Sequence, residues 1–222
     1  MDDKAPTRIW DLPTRLFHWT LVALVVFSVV TAKIGGNWMD WHTRSGYAIL
    51  ALLVFRVLWG LAGSRYARFA SFVAAPRTAL SYARERLTRA ASGPHAGHSP
   101  LGGWAVVAML AVLGVQGASG LFANDDIVTE GPWAKFVSDA TSDRLTSVHR
   151  YNEKVVYALI ALHLAAIAYY RFAKRENLVT PMLTGDKYGV SAVPADDGAL
   201  MRLRGAVFAA LAAGLVSYLV LL

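Results

Sequence analysis

Two histidines, His149 and His163, lie fourteen residues apart in one apolar segment. On an α-helix, fourteen residues advance about 21 Å and turn to within about 40° of the starting direction. One helix would therefore point two imidazoles the same way, one near each side of a bilayer. Two more histidines, His18 and His42, lie in other apolar segments. Four histidines in pairs at two depths could ligate two haem irons, one above the other.

The composition predicts a membrane protein. Among the 222 residues, 55% are hydrophobic and 17% are charged, and several apolar runs are too long for ordinary core helices. These runs predict five transmembrane spans, at about residues 16–34, 46–63, 101–122, 148–172 and 205–222. No other stretch is long enough for its own core, so we expect a single domain over residues 1–222. The predicted fold is all-α, a transmembrane helical bundle with a four-helix dihaem core and a fifth C-terminal span.

The chain contains no cysteine. This excludes disulfides, thiolate metal sites, iron–sulfur clusters and the C-x-x-C-H attachment of a covalent haem. A haem in this protein would be held non-covalently, by histidine or a similar ligand. The first apolar run continues past the length of a signal peptide and lacks a clear small-residue cleavage site, so we expect it to be a span.

Lysine and arginine predict the orientation. If the N-terminus is cytoplasmic, fifteen of the 22 basic residues lie in inside segments. The outside loop at residues 123–147 carries five acidic residues, Asp125, Asp126, Glu130, Asp139 and Asp143. The positive-inside rule therefore predicts a cytoplasmic N-terminus and, with five spans, a C-terminus on the opposite side. Because the basic residues flank spans, the net charge of +7 does not indicate nucleic-acid binding.

This topology sorts the histidines by depth. His42 precedes the second span and His149 opens the fourth, so both lie near the outer side. His18 lies in the first turns of the first span and His163 in the inner half of the fourth, so both lie nearer the inner side. The opposite pairing would need a ligand bond across most of the membrane. We therefore expect His42 to pair with His149, and His18 with His163, as axial ligands of two haems.

Other interpretations of these histidines stay open. A single histidine in a span can be a buried polar group that bonds a neighbouring carbonyl, although four at matched depths make this less expected. A divalent metal site would usually recruit carboxylates or cysteines, and the predicted spans contain almost none. From another functional class, a His-lined metal or proton transporter without haem is the alternative.

Small and basic residues indicate where a macrocycle would fit. Gly46 lies one helical turn after His42, where the edge of a haem would need room. The third span has a stripe of small residues that suits a flat cofactor or helix packing equally, Gly114, Gly117 and Gly120. Arg56 lies fourteen residues after His42, at the predicted depth of the inner pair. It would bond a haem propionate or, alternatively, extend to the inner headgroups.

Two features precede the third span. Residues 76–90 predict a basic interfacial helix that lies on anionic membrane lipid. His95 and His98 follow in a Gly/Pro-rich loop, and Ser99 before Pro100 predicts the N-cap of the third span. A solvated loop position is the main interpretation of His95. For His98, a quinone contact and a solvated position are both open.

Several segments carry a family resemblance through about Lys187: LPTRLFHW, HTRSGYAILALLVFRVLWG, GHSPLGG, VHRYNEKVVYALIALHLAAIAYY and NLVTPMLTGDK. They resemble the bacterial cytochrome b561 family, which includes the b-type cytochrome subunits of nickel–iron hydrogenases. The resemblance implies a bundle whose first four spans hold two haems b. His42 and His149 match the outer ligands, and His18 and His163 match the inner ligands.

The resemblance also implies a function at the bacterial inner membrane. Similar cytochromes of the respiratory chain pass electrons between the quinone pool and a periplasmic partner, such as a c-type cytochrome or a redox enzyme. By resemblance to the formate dehydrogenase cytochromes, we expect the quinone to react near the inner haem. We expect an electron-transfer protein with quinone oxidoreductase activity. The alternative within this class is a membrane anchor subunit of a periplasmic hydrogenase or dehydrogenase. The fifth span has no histidine and would serve packing or partner docking.

Overall fold

The computed structural model of the protein describes residues 5–88, 95–125 and 129–222. The α-helices in these residues are α1 (Leu12–Ile34), α2 (Met39–Ala62), α3 (Phe69–Phe72), α4 (Pro76–Thr88), α5 (Pro100–Gly120), α6 (Asp139–Phe172), α7 (Val179–Thr184) and α8 (Ala199–Leu221). Five of them, α1, α2, α5, α6 and α8, are long and apolar enough to cross a membrane. The fold is an all-α transmembrane bundle, as predicted.

Several helices begin earlier than the spans that hydropathy predicts. Helix α6 begins at Asp139 rather than at residue 148, and two polar residues of its first turns, Ser142 and Thr146, are buried. Helix α1 begins at Leu12 because Asp11 caps it, with the Thr14 backbone N–H donating to Asp11 Oδ1 at 2.6 Å. An apolar run marks the middle of a helix and not the polar turns that extend it.

The described residues form two compact units. The first consists of the described parts of Met1–Leu16, Leu58–Ala108 and Ala161–Ala206. The second consists of the described parts of Phe17–Val57, Met109–Ile160 and Val207–Leu222. Each boundary between these ranges falls inside one of the five long helices. The expectation of a single domain over residues 1–222 stays a prediction.

The first unit is stabilised by a short antiparallel ladder and by ion pairs. Strands β1 (Thr7–Arg8) and β2 (Asp186–Lys187) pair with each other, and the apolar core beside them consists of Ile9, Trp10 and Val190. Arg8 Nε lies 2.8 Å from Asp186 Oδ1, and Arg8 Nη1 lies 2.7 Å from Asp197 Oδ2. These contacts connect segments that are far apart in sequence.

The predicted interfacial helix is present as α4, which ends at Thr88. Residues 89 and 90 of the predicted range lie outside the described residues. Ala79 and Tyr82 are buried on one side of the helix, while Arg77 and Leu80 are exposed. This is the amphipathic pattern of a helix at an interface, and its contact with lipid stays a prediction.

The loop histidines of the first unit contact aromatic rings. The ring centroid of His98 lies 4.8 Å from that of Trp10 and 4.6 Å from that of Phe72. His95 Nε2 lies 3.1 Å from the Tyr82 hydroxyl oxygen. Both histidines are partly buried rather than fully solvated, and a quinone contact of His98 stays a prediction. The predicted helix start is confirmed: α5 begins at Pro100, and Ser99 Oγ accepts the Gly102 N–H at 3.2 Å.

The second unit has an apolar core between α2, α5 and α6, made of Ile49, Leu53, Leu113 and Val156. The loop that precedes α6 is bonded to that helix. Asn124 Nδ2 donates to Ser142 Oγ at 2.6 Å, and the Asn124 backbone N–H donates to Thr146 Oγ1 at 3.0 Å. Ser142 and Thr146 are therefore buried because they bond this loop.

Candidate functional site

The second unit brings two of the predicted ligands together. His42 extends from α2 and His149 from α6, and their ring centroids lie 6.1 Å apart with the ring planes at 84°. Both side chains are partly buried. The sequence predicted that these residues share one depth, and the structure places them side by side in the same unit.

Each of the two imidazoles has its Nδ1 atom close to a backbone carbonyl. His42 Nδ1 lies 2.9 Å from the Ser28 carbonyl oxygen, and His149 Nδ1 lies 2.9 Å from the Gln116 carbonyl oxygen. An N–H at this position donates to the carbonyl and leaves the lone pair on Nε2. Histidines that bind metals are commonly held in this way, because the second bond fixes both the tautomer and the ring orientation.

One amide side chain that the sequence analysis missed contacts His149, and a second amide side chain bonds the first. Gln116 Nε2 lies 3.1 Å from His149 Nε2, and Gln116 Oε1 accepts from Asn152 Nδ2 at 2.8 Å. The Gln116 amide therefore donates to the same lone pair that would bind iron. A glutamine in the middle of an apolar span was the available signal, since a buried amide needs polar partners.

A cavity with mostly apolar walls includes both histidines in its lining. The space between its walls amounts to about 1260 Å³, including the part open to solvent. Apolar side chains from four helices line it, among them Val25, Val29, Leu50, Leu113 and Val156. A site of this shape, with a few polar groups among apolar walls, is typical of cofactor binding.

Three of the glycines that the sequence analysis named line the same cavity, Gly46, Gly117 and Gly120, and their surroundings differ. A Cβ at Gly120 would lie 3.0 Å from His149 Cε1, so this position must stay small beside the ring. A Cβ at Gly117 would lie 2.5 Å from Leu50 Cδ2, so this glycine serves helix packing. A Cβ at Gly46 or at Gly114 would meet nothing within 4 Å. Open space at Gly46 agrees with the expected room beside His42.

The other predicted residues are placed as follows. His18 lies on α1 in the second unit, with its ring centroid 4.9 Å from that of Trp19. His163 lies on α6 in the first unit and is partly buried. The pairing of His18 with His163 stays a prediction. Arg56 is only 3% exposed, which does not fit a side chain extended into the headgroup region.

The residues around His42 and His149 fit a b-type haem. Both imidazoles have Nδ1 held by a carbonyl, the walls are apolar, and glycines leave space for a flat group. Within residues 5–88, 95–125 and 129–222, no group of three or more His, Asp or Glu is arranged to hold a metal ion. A pair of histidines without carboxylate ligands suits haem iron better than a divalent ion.

The comparisons with known proteins agree with this chemistry. The model of the family described as "Prokaryotic cytochrome b561" matches residues 9–185, a range that contains all four predicted ligands. No curated protein and no solved structure matches the chain. The chain therefore belongs to the prokaryotic cytochrome b561 family, and it is a multi-pass membrane b-type cytochrome that works in electron transfer.

Proposed function

We propose that this cytochrome holds two haems b and transfers electrons between the quinone pool and a periplasmic redox partner. The observation that carries the proposal is the pair formed by His42 and His149, whose Nδ1 atoms both lie 2.9 Å from backbone carbonyls. These two residues ligate the outer haem. His18 and His163 ligate the inner haem, in agreement with their predicted depth and with the family.

The haem, when bound, supplies the one-electron redox couple, and the protein controls its surroundings. The Ser28 and Gln116 carbonyls hold the tautomer of the two outer ligands. The apolar walls exclude water and lower the local dielectric, which sets the balance between the two charge states of the iron. At the inner haem, Arg56 bonds a propionate and keeps a positive charge nearby.

The N-terminus is cytoplasmic in this proposal, and the loop before α6 faces the periplasm. That loop contacts α8: the Trp133 indole N–H donates to the Leu219 carbonyl at 2.7 Å, and Lys135 Nζ donates to the Leu222 carbonyl at 2.7 Å. The fifth span therefore supports the surface on which a periplasmic c-type cytochrome or redox enzyme docks. The loop's acidic residues favour a partner with a basic patch.

The haem content of the purified protein tests this proposal. We expect two haems b per chain, a reduced spectrum typical of bis-histidine haem, and reduction of the haems by a hydroquinone. One haem per chain would contradict the dihaem arrangement. Colourless protein that binds zinc would instead favour the His-lined transporter. Co-purification with a hydrogenase or dehydrogenase would identify the protein as its membrane subunit.

A further inference from the structure

A second cluster of polar residues lies beside the outer histidines. Glu153 and Tyr157 follow His149 on α6 by one and two helical turns, and Lys33 lies near the end of α1. Lys33 Nζ donates to Glu153 Oε1 at 2.6 Å, and the Tyr157 hydroxyl donates to the same oxygen. Ionisable groups inside a predicted span are costly to bury, which makes them candidates for function.

The cluster contacts both the cavity and the exterior of the helices. Glu153 and Tyr157 line the cavity that contains His42 and His149. The Lys33 side chain is 63% exposed and the Glu153 side chain 31%, and Tyr157 is 36% exposed. In a membrane these exposed surfaces meet lipid or the adjoining interface. The cluster therefore borders the surroundings on one side and the cavity on the other.

These side chains match the hydrogen bonding of one class of lipid-soluble molecule. A carboxylate accepts a hydrogen bond from a hydroquinone hydroxyl, and a phenol or an ammonium donates one to a quinone carbonyl. The adjacent apolar wall, with Val25, Val29 and Val156, suits the ring and its tail. A phosphate headgroup could accept from Lys33 and the Tyr157 hydroxyl, but it would place its negative charge beside the Glu153 carboxylate.

We propose that Glu153 and Tyr157, with Lys33 as the counter-ion, bind the head group of a quinone or hydroquinone at the side of the outer cavity. This inference rests on the proposed quinone function. It adds a location that the resemblance does not imply, because the related formate dehydrogenase cytochromes react with quinone near the inner haem. These residues are proposed to bind the quinone, and no redox step is assigned to them.

The affinity for a short-chain quinone tests the site. The haem-containing protein in lipid nanodiscs is titrated calorimetrically with decylubiquinone. Tyr157→Phe removes one hydroxyl and leaves the Lys33–Glu153 ion pair, so we expect the Kd to rise roughly 3- to 10-fold, as for one lost hydrogen bond. Tyr151→Phe is the matched control, because Tyr151 lies on the same helix, is 69% exposed and contacts Lys154. We expect the control to leave the Kd unchanged.

Exchanging the charges of Lys33 and Glu153 distinguishes a role in quinone binding from a role in the contact between α1 and α6. The double variant Lys33→Glu, Glu153→Lys keeps an ion pair between α1 and α6 but replaces the carboxylate at the cavity with an ammonium. We expect at least a tenfold rise in Kd with the haem content unchanged. Wild-type affinity in both the exchange and Tyr157→Phe would overturn the site, and the ion pair would then be only a structural contact.

The same samples distinguish this failure from failure of the proposed function. If the wild-type protein binds quinone and two haems and the variants bind quinone with the same Kd, only the proposed location of the site is wrong. A wild-type protein that binds two haems but no quinone would overturn the site together with the quinone part of the function. A rise in Kd only in Tyr157→Phe and the charge exchange would support the site.

Discussion

The buried Asp11 side chain of the first unit is bonded by neighbouring protein groups, whereas the His42 and His149 imidazoles of the second unit line a cavity. In the first unit, the Asp11 carboxylate is fully buried and accepts from the Thr14 backbone and the Trp59 indole, at 2.6 and 3.2 Å. Ser64 Oγ donates to the same carboxylate. In the second unit, His42 and His149 line a cavity of mostly apolar side chains.

This difference separates residues that stabilise the fold from residues that perform chemistry. A buried carboxylate that bonds several donors contributes to stability, and removing it leaves those donors unsatisfied. The carbonyls that bond Nδ1 of His42 and His149 leave the Nε2 lone pair as the ligand atom, and at His149 that lone pair accepts from the Gln116 amide. We therefore expect variants of Asp11 and its partners to change the unfolding temperature, and variants of His42 and His149 to change haem binding and potential.

The largest effect on stability is expected from Asp11→Ala. The change removes the N-cap of α1 and a hydrogen-bond partner of Trp59, which together lower the free energy of unfolding by about 2–3 kcal/mol. We expect the unfolding temperature to fall by about 5–10 °C, as measured by thermal unfolding in detergent. Asp196→Ala removes an exposed carboxylate that accepts only a surface backbone N–H, from Gly198, and serves as the control with a smaller expected fall. A change in the outer haem potential in Asp11→Ala would contradict the separation of roles.

Arg56→Gln tests the second unit away from the outer histidines. Loss of a cation beside a propionate disfavours the reduced, less positive haem. We expect the potential of the inner haem to fall by on the order of 50 mV, an estimate for one partly buried charge pair. Arg44→Gln, on the same helix but exposed beside Trp41, is the control. A redox titration in which only the outer haem shifts would contradict the assigned depths.

Acid should weaken the first unit through Asp197. Burial raises the pKa of Asp197, but the Leu12 backbone N–H and the Arg202 and Arg8 guanidinium groups outweigh this, so the pKa lies below its usual value. The ionised carboxylate therefore contributes stability fully above about pH 4 and loses it as the pH falls through the lowered pKa. The unfolding temperature of wild type should exceed that of Asp197→Asn at pH 7, and the difference should shrink at pH 3. A difference independent of pH would argue against this ion-pair network.

The smallest effect is expected at the loop before α6, which is proposed to face the periplasm. Neutralising two exposed acids together, Glu130→Gln and Asp139→Asn, should slow electron transfer with a basic c-type cytochrome roughly two- to fivefold at low salt. The wild-type rate should also fall as salt rises. Stopped-flow kinetics measures both effects, and Asp196→Asn is the control on the other predicted side. A wild-type electron-transfer rate that does not change with salt concentration would contradict docking at this loop.

The sequence predicted the spans because they depend on a local pattern, and they are confirmed; the roles of His42 and His149 as outer haem ligands stay predictions. Long apolar runs identify membrane helices, and the spacing between His149 and His163 reports depth along one helix. The amphipathic pattern of α4 and the Ser99 cap were predicted for the same reason, and both are confirmed.

What the sequence missed depends on contacts between distant segments. The β1–β2 ladder is only two residues long on each side and has no pattern of its own. Helix α6 begins at Asp139 because buried Ser142 and Thr146 bond the preceding loop, which hydropathy cannot detect. The contacts of Gln116 with His149 and Asn152 depend on how α5 packs against α6, although a glutamine in an apolar span was a signal in the sequence.

The haem content of His149→Ala, compared with that of His163→Ala, tests the central claim most directly. Each ligand pair is expected to hold one haem independently of the other. Pyridine haemochrome assays should therefore find one haem per chain in each variant. Redox titrations should find one midpoint potential in each variant, which differs between the two variants and matches one of the two potentials of wild type. A His149→Ala protein that keeps both haems with unchanged spectra would contradict the account.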